Sequence, residues 1–291
     1  MEDIRIKYTF SGHESFQCRQ LWLKKGFDFI KSGSSFNSED AVVQLGVGKN
    51  MVSSIRFWLK AFNITDKNDN LTGFGNKLLS DDGWDPFLED ENSIWLLHYN
   101  LVKNNFASTY NLIFNNFRFE KIRFDRESYY NFVKRKIDET NGYAISEKTI
   151  SEDFNVFLKL YLNNSINLKE IEDSYAGILS DLNIIQNYGS KKQEQYGIEN
   201  DLRENLDESI LLYAILEQEE FGESVNLNYL ESGFNSLGAI FCINRTGIQN
   251  KIDQLVNKYN YITYQNQAGI REIQFKEKPL STSILDGYYD K

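Results

Sequence analysis

The sequence predicts a mainly α-helical fold with small β-hairpins, arranged as tandem winged-helix or helix-turn-helix-like modules. Three observations predict it. Residues 38–62 carry apolar side chains at the spacing of two short helices across a glycine turn. Several further stretches repeat apolar residues at helical intervals. Two short segments near the C-terminus alternate around a polar, glycine-containing turn.

Ser11 to Lys31 reads as the first helix. Ser11 and Glu14 have the S-x-x-E spacing of a capping box, in which each side chain satisfies a free backbone N–H. Gly33 suits the stop. In Ser38–Phe62, Ala41 and Leu45 lie four apart, Gly46 takes the turn, Val47 seals it, and Val52, Ile55 and Leu59 recur at helical spacing. Leu71–Leu79 (LTGFGNKLL) follows a polar turn and is expected to supply a strand and hairpin tip, a wing. Asp85–Asn104 reads as a core helix around Trp95, Leu96, Leu97, Tyr99 and Leu101.

The middle of the chain reads as two helices, Ser128–Ile137 and Ile150–Leu162, a pattern open to a second helix-turn-helix-like unit. Gln186–Asn205 lacks apolar periodicity and reads as a linker. Asp207–Gln218 is helical, Leu237–Ile243 (LGAIFCI) reads as a short buried strand, and Thr246–Asn260 is a helix. Residues 261–264 and 270–275 then form a hairpin around Gln265–Gly269. The expected domains are 1–120, a winged helix; 121–185, a helical middle section; and 206–291, a winged-helix-like module.

Composition narrows the functional classes. The chain has 291 residues, 41% hydrophobic and 14% aromatic, which is ample for packed cores. No apolar run approaches the roughly 20 residues of a membrane span, and the N-terminus lacks an apolar signal core. The expected location is the cytoplasm, where Cys18 and Cys242 would be free buried thiols. A net charge of −10 argues against indiscriminate coating of nucleic acid. Residues 1–62, however, hold nine Lys/Arg against six Asp/Glu, and residues 165–291 hold eleven against twenty. The basic section is N-terminal, and a local basic face can bind DNA within an acidic protein.

Chemistry-bearing constellations are sparse. His13 and Cys18 offer two potential metal ligands without a second pair nearby, so no metal site is expected. Gly46-Val47-Gly48-Lys49-Asn50 misses a phosphate loop at two of its four fixed positions, Val43 and Asn50. Neither histidine nor cysteine sits in a nucleophile signature. Asp81-Asp82, Glu89-Asp90-Glu91 and Glu217-Glu219-Glu220 read as solvated faces and helix starts. The expectation is a non-catalytic protein without a cofactor.

The second helix of 38–62 carries Lys49, Asn50, Ser53, Ser54, Arg56 and Lys60 outside its expected core face. Asn pairs with adenine and Arg with guanine, while Lys and Ser hold phosphates. These six are the candidate contacts to double-stranded DNA; the competing reading is a solvated face on a protein-docking module. Ser11, His13, Glu14 and Arg19 form a second polar cluster. Either it caps and fastens the first helix, or it recognises a ligand at a helix N-terminus.

Several stretches resemble the bacterial family called domain of unknown function 4007. They are SGHESFQCR at 11–19, LWLKKGFDFI at 21–30, AVVQLGVGKNMVSSIRFWLKAF at 41–62, LTGFGNKLL, DPFLED, and SIWLLHYNLV up to 102. The similarity continues through ISEKTISEDFNVFLKLY and LGAIFCINRTGIQNKIDQL. The resemblance brings no catalytic residues to carry over. It implies context: companions of phosphoadenosine-phosphosulfate-reductase-like proteins in antiphage or DNA-modification loci. A DNA-binding adaptor or regulator is the function expected there, with a protein-recruiting scaffold as the alternative.

Overall fold

A computed structural model describes residues 8–140, 143–162, 176–190, 193–218, 221–267 and 269–290. The fold is mainly helical with small antiparallel sheets. Among the described residues no helix is long and apolar enough to cross a membrane. The chain packs as two compact units, Met1–Leu88 with Asn100–Ile198, and Glu89–Tyr99 with Glu199–Lys291.

The first unit opens irregularly. Its first helix, α1, runs from Trp22 to Lys31, not from Ser11. Ser11, Gly12, Glu14 and Ser15 all have positive φ, which no helical start tolerates, so the Ser11–Glu14 capping box does not form. Helices α2 (Ala41–Leu45) and α3 (Lys49–Ala61) flank Gly46, left-handed at φ 61°. Ala41, Leu45, Val52 and Phe29 make a small core across the turn, with Val47 packed against it. A helix, a left-handed glycine and a second helix thus follow one another at the expected residues.

The expected wing is not. Residues 73–79 form helix α4 (Gly73–Leu79), preceded only by a bridge between Thr65 and Leu71. Thr72 caps α4 by accepting the Gly75 N–H at 2.9 Å. Gly75 lets the helix lie on the chain behind it: a Cβ there would meet the Ile64 carbonyl oxygen at 2.4 Å.

Helix α5 (Glu91–Asn104) begins in the second unit and ends in the first. Helix α6 (Ser108–Leu112) passes through a π turn at Ile113–Phe117 into α7 (Arg118–Glu120). Helices α8 (Arg126–Glu139) and α9 (Glu147–Tyr161) pack together around Tyr129, Phe154 and Phe157. Residues 186–205 are not wholly a linker. They contain most of an antiparallel hairpin, β1 (Ile185–Asn187) with β2 (Tyr196–Ile198), and the chain crosses between units after Ile198.

The second unit adds α10 (Glu208–Leu216), β3 (Ser224–Asn226), α11 (Leu227–Ser232), α12 (Leu237–Ile240), α13 (Arg245–Lys258), β4 (Ile262–Gln267), β5 (Ile270–Phe275) and α14 (Ser281–Tyr289). The strand expected at 237–243 is α12 and a turn. Ser236 caps that helix by accepting the Ala239 N–H at 3.1 Å. Strand β5 pairs with β4 on one side and β3 on the other. Of the expected hairpin turn, Ala268 lies outside the described residues, as do Glu219 and Glu220 of the acidic run.

The two units repeat one local geometry. Gly46 and Cys242 are both left-handed, at φ 61° and 50°. An apolar residue follows each, Val47 and Ile243, then an extended N-cap, Gly48 and Asn244. At matched steps along the following helices, Val52 and Leu59 correspond to Ile248 and Leu255, all buried.

Candidate nucleic-acid interface

Helix α3 buries Val52, Ser54, Ile55, Phe57, Trp58, Leu59 and Ala61. Only its first turns face outward, with Lys49, Asn50 and Ser53 exposed. In a helix–turn–helix it is the N-terminal residues of the second helix that contact base edges. Lys49 has no ion-pair partner among the described residues, so its charge is available to a phosphate.

The other three candidates are placed differently. Ser54 is fully buried and its hydroxyl has no partner among the described residues, so it belongs to the core. Arg56 is held by Asp69, with Nε 3.0 Å from Oδ1 and Nη2 2.6 Å from Oδ2, and Nη1 donates to Asn37 at 3.0 Å. Lys60 reaches the same Asp69 at 2.9 Å and the Lys67 carbonyl at 3.1 Å. Burial works to raise the Asp69 pKa, but hydrogen bonds and charge from Arg56 and Lys60 outweigh it and hold the carboxyl below its usual range. The start of α3 thus exposes three polar residues, while Arg56 and Lys60, further along the helix, share the single carboxylate of Asp69.

The second cluster is assembled by Asp153 of α9. Its Oδ1 accepts from the Ser11 backbone N–H at 2.7 Å and pairs with His13 Nε2 at 3.0 Å; its Oδ2 accepts from the Thr109 hydroxyl at 3.0 Å. Tyr129 donates in turn to Thr109 at 3.0 Å. His13 Nδ1 accepts the Ser15 N–H at 3.2 Å, which leaves Nε2 to carry the proton toward Asp153. The imidazole is buried, stacked on Trp58 and edge-on to Phe57. Gly12, at φ +96°, has no room for a Cβ, which would meet Phe57 at 2.8 Å. The segment is fastened to the body through His13 and the Ser11 backbone. Glu14 is exposed, and Arg19 lies 5.3 Å over the Trp22 ring.

Sequence reasoning missed Asp69, Asp153, Thr109 and Tyr129. One signal for Asp153 existed: it stands on the apolar stripe of α9 with Ile150, Phe154 and Phe157, and a carboxylate buried there requires partners.

A cavity of about 420 Å³ lies between α1 and α2, lined by Leu21, Lys25, Phe29, Leu45 and Phe87 among others. Leu21 and Phe87 are largely exposed, as is Val43 of α2.

Residues 10–289 match the family described as "Protein of unknown function (DUF4007)". The chain belongs to this family. No curated protein matches the chain. Two solved structures are similar to it over nearly its whole length. A magnesium ion-bound SspB crystal structure shares 25% identity, with 99% of this chain and 90% of that one covered and a TM-score of 0.88. A second SspB crystal structure shares 25% identity over 100% of this chain and 91% of that one, with a TM-score of 0.86.

Proposed function

We propose that this chain is a non-catalytic DNA-binding adaptor or regulator of a bacterial phage-defence or DNA-modification system. The observation that carries the reading is the helix–Gly46–helix of the first unit, with Lys49, Asn50 and Ser53 exposed at the start of α3. Lysine and serine suit phosphates there and asparagine suits adenine. The element order of the second unit supports a winged-helix reading: helix, strand, helices, then two strands, with β5 between β3 and β4. Gel shifts of the full chain on duplex DNA across a salt series test the proposal. Salt-dependent retention is expected, and its absence with both single- and double-stranded DNA ends it.

A second reading, a scaffold that docks a partner protein, is favoured by the α1–α2 cavity and its exposed rim of Leu21 and Phe87. The partner would be the phosphoadenosine-phosphosulfate-reductase-like protein that the family context implies. Phe87→Asp should abolish co-purification with it and leave DNA retention intact.

The magnesium in one SspB structure prompts a check for metal-dependent cleavage. Among the described residues, no three His, Cys, Asp or Glu side chains cluster as a metal set, so no reaction step is assigned to them. Nicking of supercoiled plasmid by the full chain in magnesium would replace the adaptor reading with an enzymatic one.

A further inference from the structure

The acidity of the C-terminal half is not evenly spread. Residues 199–231 hold one Lys/Arg against ten Asp/Glu. Residues 244–278, which carry α13 and the β4–β5 hairpin, hold six against three. Ten of those 35 residues are Asn or Gln. This basic, amide-rich stretch follows the turn at Cys242, which repeats the geometry of the turn at Gly46.

We infer that α13 and the β4–β5 hairpin form a second DNA-contacting surface, which reads base edges of a duplex through amide side chains. The inference extends the reading of the chain as DNA-binding but rests on different residues in the other unit. Helix α13 buries Gly247, Ile248, Lys251, Ile252 and Leu255. Its opposite face presents Thr246, Asn250, Gln254 and Asn257, all exposed, with Gln249 half-buried at its edge. None of these five side chains has a partner among the described residues, so none is committed to holding the fold. An amide offers a donor and an acceptor side by side, the complement of adenine N6 and N7 in the major groove.

The charges fit a helix lying on base edges better than one lying on phosphates. Asp253 sits in the middle of the same exposed face, where it would repel backbone phosphate but can accept from cytosine N4. The cations of α13 are turned to internal duties. Lys251 is buried and donates to the Glu204 carbonyl at 3.0 Å, Arg245 is bound to Glu231 at 2.7 Å, and Lys258 to Glu208 at 2.8 Å. Phosphate contact falls instead to the hairpin, where Arg271 is exposed and without a partner among the described residues, close to the turn at Gly269.

The test is selection from a random duplex pool by the full-length protein, wild type against Gln249→Ala/Asn250→Ala, with Lys49→Ala in parallel. Wild type should enrich a motif. The double variant should lose it at one or two positions, with affinity for the enriched site falling about 5- to 150-fold, unchanged non-specific binding and an unchanged melting midpoint. Arg271→Ala should weaken binding to all sequences alike. No motif with wild type, or the same motif and affinity with the double variant, overturns the inference. If Lys49→Ala removes binding and the amide variant changes nothing, the first unit's surface stands and this one falls. If wild type binds no duplex, both fall. Loss of a co-purifying protein in place of DNA specificity would reassign the amide face to protein docking and overturn the inference too.

Discussion

The guanidinium of Arg56 lies edge to edge with the carboxylate of Asp69, Nη2 2.6 Å from Oδ2, and Lys60 closes on Oδ1 at 2.9 Å. One carboxylate from the turn after α3 thereby holds two cations of that helix. Asp69→Ala should release both. DNA retention should strengthen, and the salt dependence should steepen by about one to two units, one per phosphate gained. Stability should fall by about 1 kcal/mol, since the ion pair is partly solvated. An unchanged salt slope in titrations of the full chain would show that these cations do not face the DNA.

The same pairing makes stability depend on acid. Asp69 is held below its usual range in the folded protein, against about 3.9 when unfolded. The unfolded chain therefore takes up the proton first. The stabilisation is complete above pH about 4 and is lost as pH falls through the folded value. The melting-temperature gap between wild type and Asp69→Asn should be constant near neutrality and close below pH 4. A gap that persists at low pH counts against the ion pair as its source.

Lys49 and Arg56 should separate binding from folding. Lys49→Ala should weaken retention on every duplex and flatten the salt slope by about one unit, without moving the melting midpoint. Arg56→Ala should do the opposite, lowering stability by about 1 kcal/mol with little effect on DNA. Parallel gel shifts and thermal melts of the two variants check the assignment.

At the N-terminal loop the backbone of Ser11 matters more than its side chain. Ser11→Ala should cost less than about 0.5 kcal/mol, as for an ordinary surface change. Asp153→Ala strands the Ser11 N–H, His13 and Thr109 together, and should cost about 3 kcal/mol. Urea midpoints would decide; comparable losses for the two variants would show that the serine side chain also holds the loop.

Gly46 at φ 61° faces open space, so a methyl group there meets no neighbour and the penalty is purely conformational. Gly46→Ala should destabilise the first unit by about 1 kcal/mol. Equal stability in a denaturant melt would show that the turn has a second conformation.

These relationships explain which parts of the fold were legible. The α2–α3 turn could be read because a glycine marks the left-handed residue and apolar positions flank it at helical spacing. Its counterpart was hidden because Cys242 holds that position, so LGAIFCI presented an unbroken apolar run, which periodicity cannot distinguish from a strand. Helix α4 was hidden by its glycines, one of which serves close packing on Ile64 and not a hairpin. Ser11 and Glu14 matched a local pattern, but the loop obeys a carboxylate 142 residues away. For the site, exposure at Lys49, Asn50 and Ser53 followed from helical phase. The capture of Arg56 and Lys60 depended on Asp69, in a polar turn with no apolar phase of its own.

Each unit encloses one cysteine, Cys18 in the first and Cys242 in the second, both with no accessible surface. Burial also pushes the Cys18 thiol well above its ordinary pKa, which suppresses the thiolate. An alkylating reagent can therefore react with either only after the surrounding structure opens. The protein carries two native clocks, one per unit, whose labelling rates, resolved by peptide mass, report local opening without any engineered probe. Equal rates across a denaturant series would mean that the units open as one. Unequal rates would rank them, and added DNA should slow the clock of whichever unit it holds.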